Sequence, residues 1–128
     1  MILLLDTSTP VCKLTLVNGA DVLHDEWQAD RSLADGLIGY IRGQLAARDK
    51  TWTDVRGIGI YKGPGSFTGL RIGITVCNTI ADANTIPIVG ETGDDWQATC
   101  QQRLTAGEND QLVMPLYGRE ANITKPRK

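Results

Sequence analysis

A chain of 128 residues has room for one domain and at most a short appendage, so separate catalytic and substrate domains are excluded. With 41% hydrophobic and 22% charged residues, the composition is that of a foldable globular domain and not of a disordered one. A formal net charge of -2 argues against a dense basic surface gripping nucleic acid unaided, so any service to nucleic acid runs through a partner.

Residues 2–5 form a continuous apolar run that ends in Asp6-Thr7-Ser8-Thr9-Pro10, the pattern of a central strand covered on both faces and closed by a polar turn. The run is far too short for a signal segment, and no apolar stretch approaches a membrane span, so a cytoplasmic protein without membrane contact is expected. From Val11 to Val17 apolar and polar residues alternate, and Asn18-Gly19 supplies a hairpin turn into a third strand over 21–27. His24, the single histidine, falls in the middle of that strand; no His-His metal pair can be built from this chain, and a His-based triad has only this residue to draw on. Cys12, Cys77 and Cys100 are odd in number and widely spaced with no C-x-x-C, which supports neither a zinc site nor a disulfide framework and points to buried, reduced thiols.

The next predicted element is a helix over 32–48, with Ser32 as N-cap and Asp35 completing an approximate capping box. Leu33, Leu37, Ile41 and Leu45 form its apolar face. Gly36, Gly39 and Gly43 share a strip, and since each costs up to about 1 kcal/mol against alanine, close approach of another helix is the expected compensation. A fourth strand over 56–61 leads into a glycine-rich turn and a second helix over 68–84, and a fifth strand over 86–89 completes a βαβ unit whose strands are parallel to the first. A short helix over 94–105 carries Trp96, Cys100 and Leu104 on one side. The last apolar stretch, 112–117, reads as a possible sixth strand, and a basic tail follows at 120–128.

Two segments could carry chemistry. The turn at 63–69 could cradle a phosphate between its backbone N–H groups and the following helix N-terminus, with Gly63, Gly65 and Ser66 as candidates and Asp6 as a metal-bearing carboxylate of a nucleotide site. The other readings are a tight structural turn and a capping role for Asp6; the turn lacks the Lys-Ser/Thr pair of a P-loop and the spacing of a dinucleotide fingerprint. The second segment is the helix over 68–84. Leu70, Ile74, Cys77 and Ala81 form one apolar stripe and Ile72, Val76, Ile80 and Ala83 another, so it needs two coverings, the sheet on one side and either the first helix or a partner chain on the other.

Met-Ile-Leu-Leu-Leu-Asp-Thr-Ser-Thr at 1–9, the run Gly63-Pro-Gly-Ser-Phe-Thr-Gly-Leu-Arg-Ile-Gly73 and Ile86-Pro-Ile-Val-Gly90 together resemble the TsaB (YeaZ) family, a non-catalytic subunit of the bacterial tRNA threonylcarbamoyladenosine machinery. The resemblance covers about 1–90, and Met114-Pro-Leu-Tyr-Gly-Arg119 is more loosely similar to a segment near the family's chain end. Leu33 stands where many members have histidine, and members are usually close to twice this length, so most of a second subdomain is expected to be missing between about 92 and 112. The resemblance implies an α/β fold of the actin-like ATPase (ASKHA, ribonuclease H-like) class, here its N-terminal half, with a mixed five- to six-stranded sheet and flanking helices. The expected organisation is a single domain with a core over 1–91, a helix and strand over 94–119 and the tail.

By function, the resemblance implies no catalytic residues, no metal and no intrinsic cofactor, leaves ATP or ADP at a partner interface open, and implies pairing with TsaD, which acts on adenosine 37 of tRNA. It further implies TsaE as an additional partner, a homodimer when the chain is alone, and tRNA contact only through the complex. The family pairs through its two N-terminal-domain helices, which places the interface here on Leu33, Gly36, Leu37, Tyr40 and Gly43 of the first helix and Leu70, Arg71, Ile74 and Asn78 of the second. A nucleotide-binding actin-like fragment and a self-associating module are the rival readings.

Overall fold

Strand β1 (Ile2–Asp6) lies at the centre of the sheet because Leu3, Leu4 and Leu5 are apolar toward both faces, and all three are 1% exposed or less. The computed structural model describes residues 1–117; the basic tail expected at 120–128 lies outside them. Strands β2 (Val11–Asn18) and β3 (Asp21–Gln28) continue antiparallel from β1, in a register that sets Leu3 opposite Leu16 and Thr15 opposite His24. Gly19 closes the hairpin at φ +64°, in the left-handed region that the turn demands. His24 sits mid-strand as read, its Nδ1 2.9 Å from Thr15 Oγ1.

Helix α1 (Leu33–Ala46) returns the chain to β4 (Gly57–Tyr61), which pairs parallel with β1; helix α2 (Phe67–Asn84) then crosses to β5 (Ile88–Glu91), parallel to β4. The sheet order is β3-β2-β1-β4-β5, with five strands. The i, i+4 row Leu33, Leu37, Ile41 and Leu45 of α1 is buried, as is the Leu70, Ile74, Cys77 and Ala81 row of α2, and both join the large core cluster over β1, β2 and β4. Each fully buried leucine contributes about 1.5–3 kcal/mol. Helix α3 (Trp96–Thr105) covers the other face, where Cys100, Trp96 and Leu104 pack with Leu4 and Val89, and Gln97 Nε2 donates to Thr15 Oγ1 at 3.2 Å.

Two local expectations are corrected. Ser32 makes no side-chain cap: it belongs to a 3-10 turn (Asp30–Ser32) with φ -88° and ψ 0°, whereas a capping hydroxyl needs extended backbone. A return bond of the capping-box kind occurs instead at a short 3-10 turn (Trp52–Asp54), where Asp54 Oδ2 accepts from Thr51 N at 2.9 Å.

The sixth strand expected within 112–117 is absent, because the margin of β5 is already satisfied by side chains. Ile88 N donates to Asn109 Oδ1 and Gly90 N to Asp110 Oδ2, both at 3.0 Å, so no ladder can form there. Residues 110–117 instead bend at Gln111, at φ +65°, and then run as a strap past α2, where Asn78 clasps Val113 from both sides, Nδ2 to the carbonyl at 3.0 Å and Oδ1 from the amide at 2.9 Å.

Candidate docking surface

The glycine turn brings its sequence-picked residues together and spends them on one another. Asp6 Oδ1 accepts from Ser8 N at 2.8 Å, Ser8 O accepts from Ser66 N at 2.9 Å, and Ser66 caps α2 by accepting from Gly69 N at 3.3 Å on its hydroxyl. Thr7, fully buried, donates to Gly69 O at 2.7 Å. Side chains at Gly65, Gly69 and Gly73 would collide with Ser8 or Thr7, so these glycines let the turn after β1 cross the start of α2 at backbone distance. Gly63, at φ +125°, has the Leu116 carbonyl where a Cβ would stand. Residues 63–66 form a close-packed turn that leads into the first turns of α2, where Gly69 and Gly73 lie against Thr7.

The two helices divide the predicted interface residues sharply. Leu33, Leu37, Leu70 and Ile74 point into the core and are not surface residues: the face of an amphipathic helix that repeats every i, i+4 is the one the sheet claims first. Gly36 does not open a path for another helix, because the Trp27 indole of β3 fills its clearance. Tyr40 stacks on Trp27 with ring centroids 4.9 Å apart and donates its hydroxyl to Asp25; burial, then that bond, push the phenol far above its ordinary pKa. Asn78 is occupied with the strap. Gly43 and Arg71 are exposed on the outer side, and around Gly39 and Gly43 nothing lies within 4 Å of a Cβ position.

The surface that remains open is the seam between α1 and α2. A groove of about 340 Å³ is lined by Ala34 from α1 and by Thr68, Arg71, Ile72, Thr75 and Val76 from α2. Ile38 stands beyond Ala34 on α1 at 42% exposure, and Arg71 lies 5.4 Å over the ring of Phe67, itself 54% exposed. Ala34, Thr68 and Ile72 also border a wider cleft of about 680 Å³ leading toward Pro10 and Arg31. The seam residues of α2 were present in the sequence as its second apolar stripe, Ile72 and Val76, next to the stripe the core took.

No grouping that suits a metal or thiol chemistry accompanies the seam. Among the described residues no three His, Cys, Asp or Glu side chains stand where they could hold a metal ion. Cys12, Cys77 and Cys100 are buried free thiols, each pushed up to about 12 chiefly by burial. No helix among the described residues is long and apolar enough to cross a membrane.

The family model described as TsaD, tRNA N6-adenosine threonylcarbamoyltransferase, matches residues 27–113. The tRNA threonylcarbamoyladenosine biosynthesis protein TsaB of Escherichia coli (strain K12) is 30% identical over 89 residues, 70% of this chain and 38% of that protein. Its counterpart from Haemophilus influenzae is 30% identical over 88 residues, 69% of this chain and 37% of that one. The solved structure of YeaZ from Pseudomonas aeruginosa superposes at a TM-score of 0.66 with 32% identity, over 71% of this chain and 43% of the other. The chain belongs to the TsaB (YeaZ) family. Its mixed sheet between helices is the α/β architecture of the actin-like fold. It spans less than two fifths of the length of the TsaB proteins it matches.

Proposed function

We propose that the chain is a non-catalytic subunit in tRNA threonylcarbamoyladenosine biosynthesis and that it docks its α1–α2 seam onto a TsaD-type partner. TsaB membership supports the pathway. The observation that carries the docking is the seam itself: Ile72 and Val76 half-buried along a groove that the chain's own sheet leaves uncovered, with Ile38 exposed one turn beyond its α1 residue Ala34. A helix pair of the partner laid along it would bury this apolar row and leave Arg71 and Thr75 at the rim. The chain acts by binding one conformation of its partner better than others and so raising that conformation's population. Contact with tRNA runs through the partner, consistent with a net charge of -2.

Light scattering after size exclusion, on this chain alone and mixed with TsaD from the same genome, tests the reading. A 1:1 complex is expected, displacing any homodimer that shares the seam. A folded chain that forms no complex overturns it.

A further inference from the structure

In open α/β sheets, ligands settle outside the carboxyl ends of the strands. In this chain that ground is taken by its own backbone. Asp110 N donates to Ile88 O at 2.7 Å at the start of β5, after which the strap follows that strand's margin to Gly90 and crosses the carboxyl end of β4 at Lys62. Val113, 3% exposed, rests against Gly90 so closely that a Cβ there would strike it. Leu116 N donates to Lys62 O at 2.7 Å, and the Leu116 carbonyl covers Gly63. Tyr117 ends the crossing on Phe67, the first residue of α2, with ring centroids 4.4 Å apart.

A nucleotide of the kind the actin-like fold accepts does not fit these residues. At the start of α2 the amides of Ser66 and Gly69 already donate to Ser8 O and Ser66 Oγ. The space beside Gly63 is filled by Leu116. We infer that residues 110–117 are an intramolecular plug: the strap stands where a ligand would, and a nucleotide and the seated strap exclude one another. Gly63 and Gly90 are the clearances that seat it, and Asn78, bonded to both polar groups of Val113, is its latch. An incoming phosphate beside Gly63 would have to break the Leu116–Lys62 bond and lift the strap off β4.

Amide hydrogen exchange on the full chain tests the plug, with Mg-ADP as the probe. The Val113 and Leu116 amides are expected to be protected, to stay so in millimolar Mg-ADP, and to exchange about tenfold faster or more in Asn78→Ala while Leu3, Leu4 and Leu5 keep their protection. Should Asn78→Ala fail to fold, Gly90→Ala unseats Val113 from the other side and gives the same readout. Val113 and Leu116 amides that exchange at the rate of an unstructured peptide in the unaltered chain overturn the plug. So does Mg-ADP that binds while both amides remain protected.

Discussion

The Trp27 indole stands in the place of a side chain at Gly36: its Cη2 lies 2.8 Å from where a Cβ on that residue would sit. Glycine in the first turn of α1 is thus a device for bringing β3 and the helix together, and the indole it admits is locked in turn by stacking on Tyr40.

The three glycines of α1 therefore respond in opposite directions to the same substitution. Gly36→Ala lowers stability by about 1 kcal/mol or more, because the methyl meets an indole that Tyr40 holds in place. Gly39→Ala and Gly43→Ala raise it by roughly 0.5–1 kcal/mol each, since nothing lies within 4 Å and helix propensity alone decides. Urea midpoints of the three variants check the order, and equal gains at all three positions would refute the role given to Trp27.

Asp110 couples the strap to α3 and carries a pH signature. Arg103 binds it, Glu91 at 2.9 Å and Glu108 at 2.7 Å. Burial pushes the Asp110 carboxyl up, but the Arg103 guanidinium and the Gly90 N–H outweigh it, with Lys62 adding a little, and hold the group below the usual carboxylate range. A carboxylate depressed on folding stabilises fully above its unfolded value of about 3.9, and that contribution disappears as pH falls through the folded value. Asp110→Asn should melt below the unaltered chain at pH 7, with the gap closing in acid below about pH 4. Asp110→Ala should be worse at neutral pH, because the Gly90 N–H loses its acceptor at a cost of about 1–3 kcal/mol. Melting temperatures that keep the same gap from pH 7 to pH 2 would contradict the linkage.

The thiols give a kinetic test of the core. With Cys12, Cys77 and Cys100 buried and each thiol raised to about 12, thiolate is scarce and inaccessible in the folded chain. Labelling by Ellman's reagent at pH 8 should be slow under native conditions and complete within minutes in denaturant. Fast native modification of Cys77 would mean that α2 lifts from the sheet far more readily than its packing indicates.

Ile38→Glu addresses the seam without touching the core. Being 42% exposed, Ile38 can accept the change within about 0.5 kcal/mol of stability, yet the complex with a TsaD-type partner should weaken about tenfold or more. Calorimetric titration reads the affinity; an undiminished complex would move the docking site off this face.

The alternating Val11–Val17 segment, the Asn18-Gly19 turn and the i, i+4 row of α1 were legible because each is a local pattern whose period names its element. Ile86 looked like the start of the fifth strand, but the first ladder partner on that side is the Pro87 carbonyl, which accepts from Ile58 N at 2.9 Å, and β5 begins one residue later. The residues of the site were harder for a physical reason. Leu33 and Leu37 satisfy an inward and an outward reading equally until the sheet is placed beneath them, and Gly36 has no meaning apart from Trp27 nine residues away. The strap is an apolar run that reads as a buried strand, and only the Asn109 and Asp110 side chains on the amides of β5 reveal that it has no ladder to join.

Those two side chains reach further than the strap. A sheet with bare margins on both sides can grow by accretion of like chains, and here Asn109 and Asp110 silence one of them, since Ile88 and Gly90 have no amide left to offer a stranger. The opposite margin, β3, carries the exposed Asp21 and Glu26, so two copies approaching along it bring like charges together. The molecule is thereby steered away from stacking strand on strand with copies of itself.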